Sequence, residues 1–192
     1  MIVAWTKTKQ LLARFAAEPA GVAAVEFALV VPIMLVVYLG TTEASALITM
    51  DRKVQSVAGA LGDLVARENA TISGATLQDY FQASSGIMSP YMPTGLKQIV
   101  TSVQVMADGT TSVAWSRPYT TGDADVVATG HEVGKPYALP ADMTDIAKGS
   151  YVIVSEASYS YKPLFGLVFD QAIDLYRESF YMPRFGEPIA LN

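Results

Sequence analysis

The chain has 192 residues, 51% of them hydrophobic and 16% charged, with mean hydropathy +0.30 and a formal net charge of −5. It has no cysteine, which excludes disulfides, thiol catalysis and cysteine-based zinc sites. The acidic balance argues against nucleic acid as a partner, and the length left after one membrane helix is enough for a single domain of modest core.

Residues 1–21 read as a cytoplasmic leader, with Lys7, Lys9 and Arg14 against the single acid Glu18. Without them the remainder carries −7. An apolar run of nineteen residues follows, 22–40, in which Glu26 is the only charged side chain. At a rise of about 1.5 Å per residue, a helix of that length covers about 28 Å, close to the ~30 Å hydrocarbon core of a bilayer. The basic leader predicts a cytoplasmic N-terminus, a membrane segment over 22–42, and the rest (43–192) as a periplasmic domain.

Glu26 is the informative residue in that run. A carboxylate at mid-helix in a membrane is unfavourable by about 2.5–3.5 kcal/mol, and by less near an end. A compensating partner is expected if it stays ionised. The plain alternative is a carboxylate that snorkels to the interface and does nothing specific. Gly21, four intervening residues, Glu26 and a long apolar run together resemble the processing site of type IV prepilins and pseudopilins. That resemblance implies a prepilin peptidase that cuts between Gly21 and Val22 and leaves the apolar segment on the mature chain. It also supplies a partner for Glu26, by then the fifth residue: the new α-amino group of a neighbouring subunit.

The longer stretch Gly21-Val22-Ala23-Ala24-Val25-Glu26-Phe27-Ala28-Leu29-Val30-Val31-Pro32, with Gly40 and Glu43 beyond it, is similar to the start of TadE/TadG-like proteins. These are minor pilins or pseudopilins of tight-adherence, Flp-type pilus systems. A looser likeness lies in Tyr159-Ser160-Tyr161-Lys162-Pro163 and in Tyr181-Met182-Pro183-Arg184. The family often has a strand ending in Tyr-x-Tyr-x-Pro and a last strand closing on a basic residue beside a proline. The resemblance implies a non-catalytic role in pilus assembly, with Phe27, Leu29, Pro32 and Gly40 packing against other pilin helices. Its partners would be the inner membrane, the prepilin peptidase, other pilins and the assembly platform. Residues 69–149 carry no specific resemblance.

A secretory signal competes with a retained helix, because Ala44-Ser45-Ala46 has a small-x-small form after an apolar stretch. Glu43 stands where neutral residues are usual, and such a leader would contain Gly21 and Glu26 for no reason. Beyond it, Leu47, Met50, Val54, Val57, Leu61 and Leu64 recur at spacings of 3, 4, 3, 4 and 3, the period of a helix continuing through the site. One helix is therefore predicted from Val22 to about Glu68, bent slightly at Pro32. Its stripe is read as packing on this chain's own sheet, with a seam between subunits as the alternative and room for both on different faces. Gly59 and Gly62 weaken the helix by about 1 kcal/mol each relative to alanine but permit close approach.

Ser73 or Thr76 can cap a second helix over 75–88, with Leu77, Tyr80, Phe81 and Ile87 inward. Residues 97–106 alternate as a strand whose apolar face is Ile99, Thr101, Val103 and Val105; Asp108-Gly109 is a hairpin turn and 110–117 the return strand. Residues 118–148 are mainly loop, with short helical turns possible at 124–131 and 142–148. Strands are predicted at 150–161 and 172–182, although 164–176 has a helical alternative. Helices followed by strands fit an α+β, pilin-like fold: a long helix and a short one packed on a small antiparallel sheet.

No catalytic constellation, cofactor motif or metal-ligand spacing emerges. His131 reads as a solitary surface histidine in a glycine-rich loop. Asp123, Asp125, Asp142 and Asp145 lack the glycine and distal glutamate of a calcium loop. Tyr151, Tyr159, Tyr161, Tyr176 and Tyr181 read as half-buried sheet residues or a subunit face. Two rival readings remain: a membrane-tethered periplasmic binding or sensing module with a pocket in the 118–149 loops, and a secreted enzyme beginning at Leu47.

Overall fold

A computed structural model of the chain describes residues 19–122, 127–163 and 170–192, together with Ala13 and Gly166. It divides into two compact units, one reaching Ser45 and the other holding Ala46–Pro163 and Gln171–Asn192. Helix α1, Pro19–Ala66, is 48 residues long and runs through Pro32. It begins on a proline, whose fixed φ suits a first helical position and whose missing N–H is not needed there.

The larger unit is built on the second part of α1. Met50, Val54, Val57 and Leu61 are all buried, so the predicted stripe faces this chain's own core. At its end the stripe drifts: Leu64 is half-buried, and Val65 and Ala66 are buried in its place. A straight helix of 3.6 residues per turn slips by about 20° per heptad against a 3.5-residue repeat, which accounts for the handover.

After α1 come β1 (Thr71–Ile72), α2 (Gly74–Ser85) with a 3-10 turn at Gly86–Met88, β2 (Lys97–Val105), β3 (Thr111–Thr120), α3 (Ala141–Ile146), β4 (Ser150–Tyr161), β5 (Ile173–Tyr181) and β6 (Ala190–Leu191). Ser73 is the cap of α2, its Oγ accepting from the Thr76 N–H at 3.1 Å. The β2–β3 turn forms at Asp108-Gly109. Asp108 Oδ1 accepts from the Thr110 N–H at 2.9 Å, and Gly109 takes φ +86°, a left-handed value natural to glycine. Strand β5 takes up the predicted 172–182 strand and includes residues 173–176 of the helical alternative, whose residues 164, 165 and 167–169 lie outside the described residues. Residues 127–131 of the first possible loop helix are irregular, while α3 realises most of the second.

Strands β2, β3, β4 and β5 form an antiparallel sheet in the order β3-β2-β4-β5. Its helix-side face packs Val100, Trp115 and Ile153 against Leu61 and Val65 of α1 and Leu77 and Phe81 of α2. The opposite face is covered too. Val103, Val105, Val152 and Val154 lie under Tyr137, Leu139, Met143 and Ala147. The apolar face predicted for β2 is therefore the one turned towards residues 137–147, not towards the helices.

On the helix side β2 presents Gln98, fully buried yet satisfied. Its Oε1 accepts from Ser84 Oγ at 2.6 Å, and its Nε2 donates to Ser85 Oγ at 2.8 Å. Polar burial of this kind is tolerated because each donor and acceptor finds a partner.

The last residues are also part of the unit. β6 pairs in parallel with β1; the Ala190 N–H donates to the Ala70 carbonyl at 2.8 Å and the Asn192 N–H to that of Ile72 at 3.0 Å. Trp115 Nε1–H donates to the Ile189 carbonyl at 2.6 Å. Two-residue strands carry no period, so this closure is invisible in the sequence.

The two helix glycines play different parts. A Cβ on Gly62 would stand 2.7 Å from the Tyr181 ring and 3.1 Å from Ser155 Cβ, whereas one on Gly59 would meet nothing closer than 3.6 Å. Gly59→Ala should therefore stabilise the protein by up to about 1 kcal/mol through helix propensity. Gly62→Ala should destabilise it by about 1–3 kcal/mol through overpacking. Thermal melts of the detergent-solubilised full chain check the opposite signs, and a shared sign would refute the close-approach role of Gly62.

Candidate functional site

In the first unit, the helix over residues 21–40 offers almost nothing but apolar surface to its surroundings. Phe27 is 70% exposed, Leu29 67% and Ile33 66%, and Val22, Met34, Leu35, Val36 and Val37 are exposed as well. A patch of this extent is far larger than soluble proteins leave in water. By length and composition the helix can cross a bilayer.

Helical geometry puts Val22, Glu26, Leu29 and Ile33 on one face, with Glu26 near the start of the run. Pro32 has no N–H, so the Ala28 carbonyl lacks its helical donor; Pro32 itself is exposed and Gly40 half-buried. Where the apolar run ends, the Thr41 and Thr42 hydroxyls both donate to the Tyr38 carbonyl, at 2.8 and 2.9 Å. Tyr38 is 67% exposed, an amphipathic ring at the level where membrane helices carry interfacial aromatics.

The peptide bond joining Gly21 to Val22 lies in the first turn of α1, where helices fray most readily. Ala44, Ser45 and Ala46 stand deep inside the same helix, a poor substrate for a peptidase that needs extended chain. The geometry defines a class: an α+β protein whose longest helix begins as a membrane-length apolar segment. Residues 21–60 match the model of the TadE-like protein family. The likeness is to Tad pilus-associated membrane proteins and covers Gly21, Val22, Glu26, Phe27, Leu29, Pro32 and Gly40. No curated protein and no solved structure matches the chain.

The larger unit holds two polar clusters. In the first, Asp63 on α1 accepts hydrogen bonds from both Arg67 and Arg184, and the Arg184 N–H donates to the Ala66 carbonyl at 2.9 Å. The Tyr181–Arg184 stretch singled out in the sequence thus closes over the end of α1. The bonds from Arg67 and Arg184 hold the Asp63 carboxyl below its ordinary 3.8. Nearby, Tyr80 donates to Glu68, which pushes the phenol up to about 12.

The second cluster corrects the sequence reading of His131. This residue is not a solitary surface histidine. It is half-buried, and its Nε2 sits 2.6 Å from Oε2 of Glu156, which is only 6% exposed. Tyr176 O–H donates to Glu156 Oε1 at 2.6 Å, and Glu178 Oε2 lies 3.1 Å from the same hydroxyl. The Tyr137 ring stands edge-on to the imidazole, with centroids 4.9 Å apart. Burial and the neighbouring Glu156 carboxylate raise both tyrosines' pKa. The signal was missed because His131 and Glu156 are 25 residues apart and meet only once the loop lies on the sheet.

Among the described residues, no group of three His, Asp or Glu is placed to hold a metal. Asp123 and Asp125 lie outside the described residues. Asp142 lies in the first turn of α3, and Asp145 pairs with Lys148 at 2.8 Å.

The Asp63 pairs lead to a pH test. Because the folded pKa is depressed, the stability they give is whole above the ordinary carboxyl value of 3.8 and is lost as pH falls through the lower, folded value. Both arginines are more than half exposed, so each pair is worth at most about 1 kcal/mol. Asp63→Asn should lower Tm at pH 7, and its deficit should shrink as pH falls from 3.8 through the lower, folded value. A deficit constant across that range would show that the charge of Asp63 is not what matters.

Proposed function

We propose that this chain is a pseudopilin or minor pilin of a tight-adherence, Flp-type pilus system, acting in assembly and not in catalysis. The reading has residues 1–21 as a cytoplasmic leader, 22–42 as the inner-membrane segment and 43–192 as the periplasmic domain. The observation that supports it most is the TadE-like match, which starts at Gly21 and runs through the exposed apolar helix. A prepilin peptidase would cut after Gly21. Glu26 would then face the freed α-amino group of a neighbouring subunit, and Phe27, Leu29, Pro32 and Gly40 would line the packing with other pilin helices. Such pairing would offset the penalty of a carboxylate in lipid.

Co-expression with a prepilin peptidase should remove 21 of the 192 residues, about 2 kDa of 20.5 kDa. The product should begin at Val22, and Gly21→Ala should stay full-length. Glu26→Gln should still insert in the membrane and still be cut, but should lose co-purification with its pilin partners. A native N-terminus at Met1 would end the processed version of the proposal. One at Leu47, released into the soluble fraction, would end the membrane-anchored version altogether.

A further inference from the structure

The segment 127–139 carries no regular structure, yet it is bound along its length. It follows β3, an edge strand of the sheet. The Ala128 N–H donates to Thr120 Oγ1 at 3.0 Å and the His131 N–H to Ser116 Oγ at 3.0 Å. The Gly134 N–H donates to the Val113 carbonyl at 2.8 Å, and the Tyr137 N–H to Thr111 Oγ1 at 3.1 Å. Gly130 fits so close that a Cβ there would stand 3.1 Å from both Pro118 and Ser116. The segment shields an edge that would otherwise be open to strand pairing. From the middle of it, His131 reaches across the sheet face to Glu156.

The carboxylate it meets is in an unfavourable place. Glu156 on β4 pairs directly across from Glu178 on β5, and like charges at opposed positions destabilise a sheet. Among the described residues neither carboxylate has a Lys or Arg partner in an ion pair. The groups facing the imidazole are Glu156 from β4, Glu178 and Tyr176 from β5, and Tyr137 from its own segment, with Glu132 adjacent in the chain; β3 contributes the neutral Ser116. Lys97 of β2 borders the cleft beside Tyr176 and Ser158, two register pairs from Glu156. Glu156 therefore has the imidazole as its bonded source of positive charge, with Glu178 beside it, and histidine is the side chain whose charge changes between about pH 5 and 8.

We propose that the His131–Glu156 contact is a pH-dependent clasp that binds segment 127–139 to the sheet more tightly in acid than above neutrality. Protonation of His131 converts a hydrogen bond from a neutral donor into an ion pair with a nearly buried carboxylate, and it offsets the repulsion between Glu156 and Glu178. Deprotonation leaves the two carboxylates sharing the Tyr176 hydroxyl, with a neutral ring on Glu156. The segment then loosens, and the β3 edge becomes available for pairing. Stronger acid, which protonates the carboxylates themselves, releases the clasp again. Tightest binding falls between the carboxylate and imidazole ranges. The proposal rests on the larger unit alone and holds whether or not the chain joins a pilus.

The test is amide hydrogen exchange on the full-length protein in detergent micelles between pH 5 and 8, corrected for intrinsic exchange. Amides of His131, Gly134 and Tyr137 should lose protection roughly five- to tenfold from pH 5.5 to 8, the difference between an ion pair and a neutral-donor hydrogen bond on the same carboxylate. Amides of β2 and β4 should not change. His131→Gln, which keeps a donor but cannot charge, should abolish the pH dependence, and Glu156→Gln should do the same. His131→Lys, charged throughout, should restore protection and hold it flat. Wild-type protection in this segment that tracks β2 and β4 overturns the clasp, whatever the variants do. So does a pH dependence that survives in folded His131→Gln.

Discussion

The structure depends on one helix with two kinds of surface. From residue 21 to 40 α1 displays apolar side chains on every side; from Met50 to Val65 it hides them along a single stripe. Only an α-helix allows both, because its backbone hydrogen bonds are satisfied within the segment wherever it lies. The change of pattern falls near Gly40, and Thr41 and Thr42 turn their hydroxyls back on the Tyr38 carbonyl there. One side of the larger unit is arranged to cover the stripe: the sheet beneath it, α2 beside it, and the Arg184 loop over its end.

That arrangement explains where polar and small residues appear in the sheet. Ser155 is small where Gly62 comes closest. Gln98 is buried only because Ser84 and Ser85 at the end of α2 meet its amide. Lys53, on the helix flank, donates to the carbonyls of Ile87 and Ser89 and so ties the 3-10 turn to α1. Asp51 does the same for β5 through Arg177 at 2.6 Å. The stripe supplies the burial, and these contacts set its angle and register on the sheet.

Much of this was legible from residue order. Period and composition located the long helix, its apolar and amphipathic parts, the Ser73 cap, the Asp108-Gly109 turn and the four main strands, because each is a local signal. The likeness at Gly21–Glu26 was legible for the same reason, and the TadE-like match falls on it. What escaped was non-local. The loop that packs on the far side of the sheet has no period, although Tyr137, Leu139 and Met143 are the apolar residues that make it a cover. β6 and β1 are too short to show alternation. His131 looked solitary because sequence distance says nothing of which strands will lie side by side, and β4–β5 register alone sets Glu156 against Glu178.

The indole of Trp115 gives the molecule a built-in optical gauge. The chain has two tryptophans, and Trp5 precedes Gly21, so a product trimmed there keeps a single tryptophan, which excitation at the red edge selects over the tyrosines. Its N–H is bound to the Ile189 carbonyl, next to the residues that pair with β1. Emission from the trimmed form should therefore report on the seating of the last few residues, with no label added.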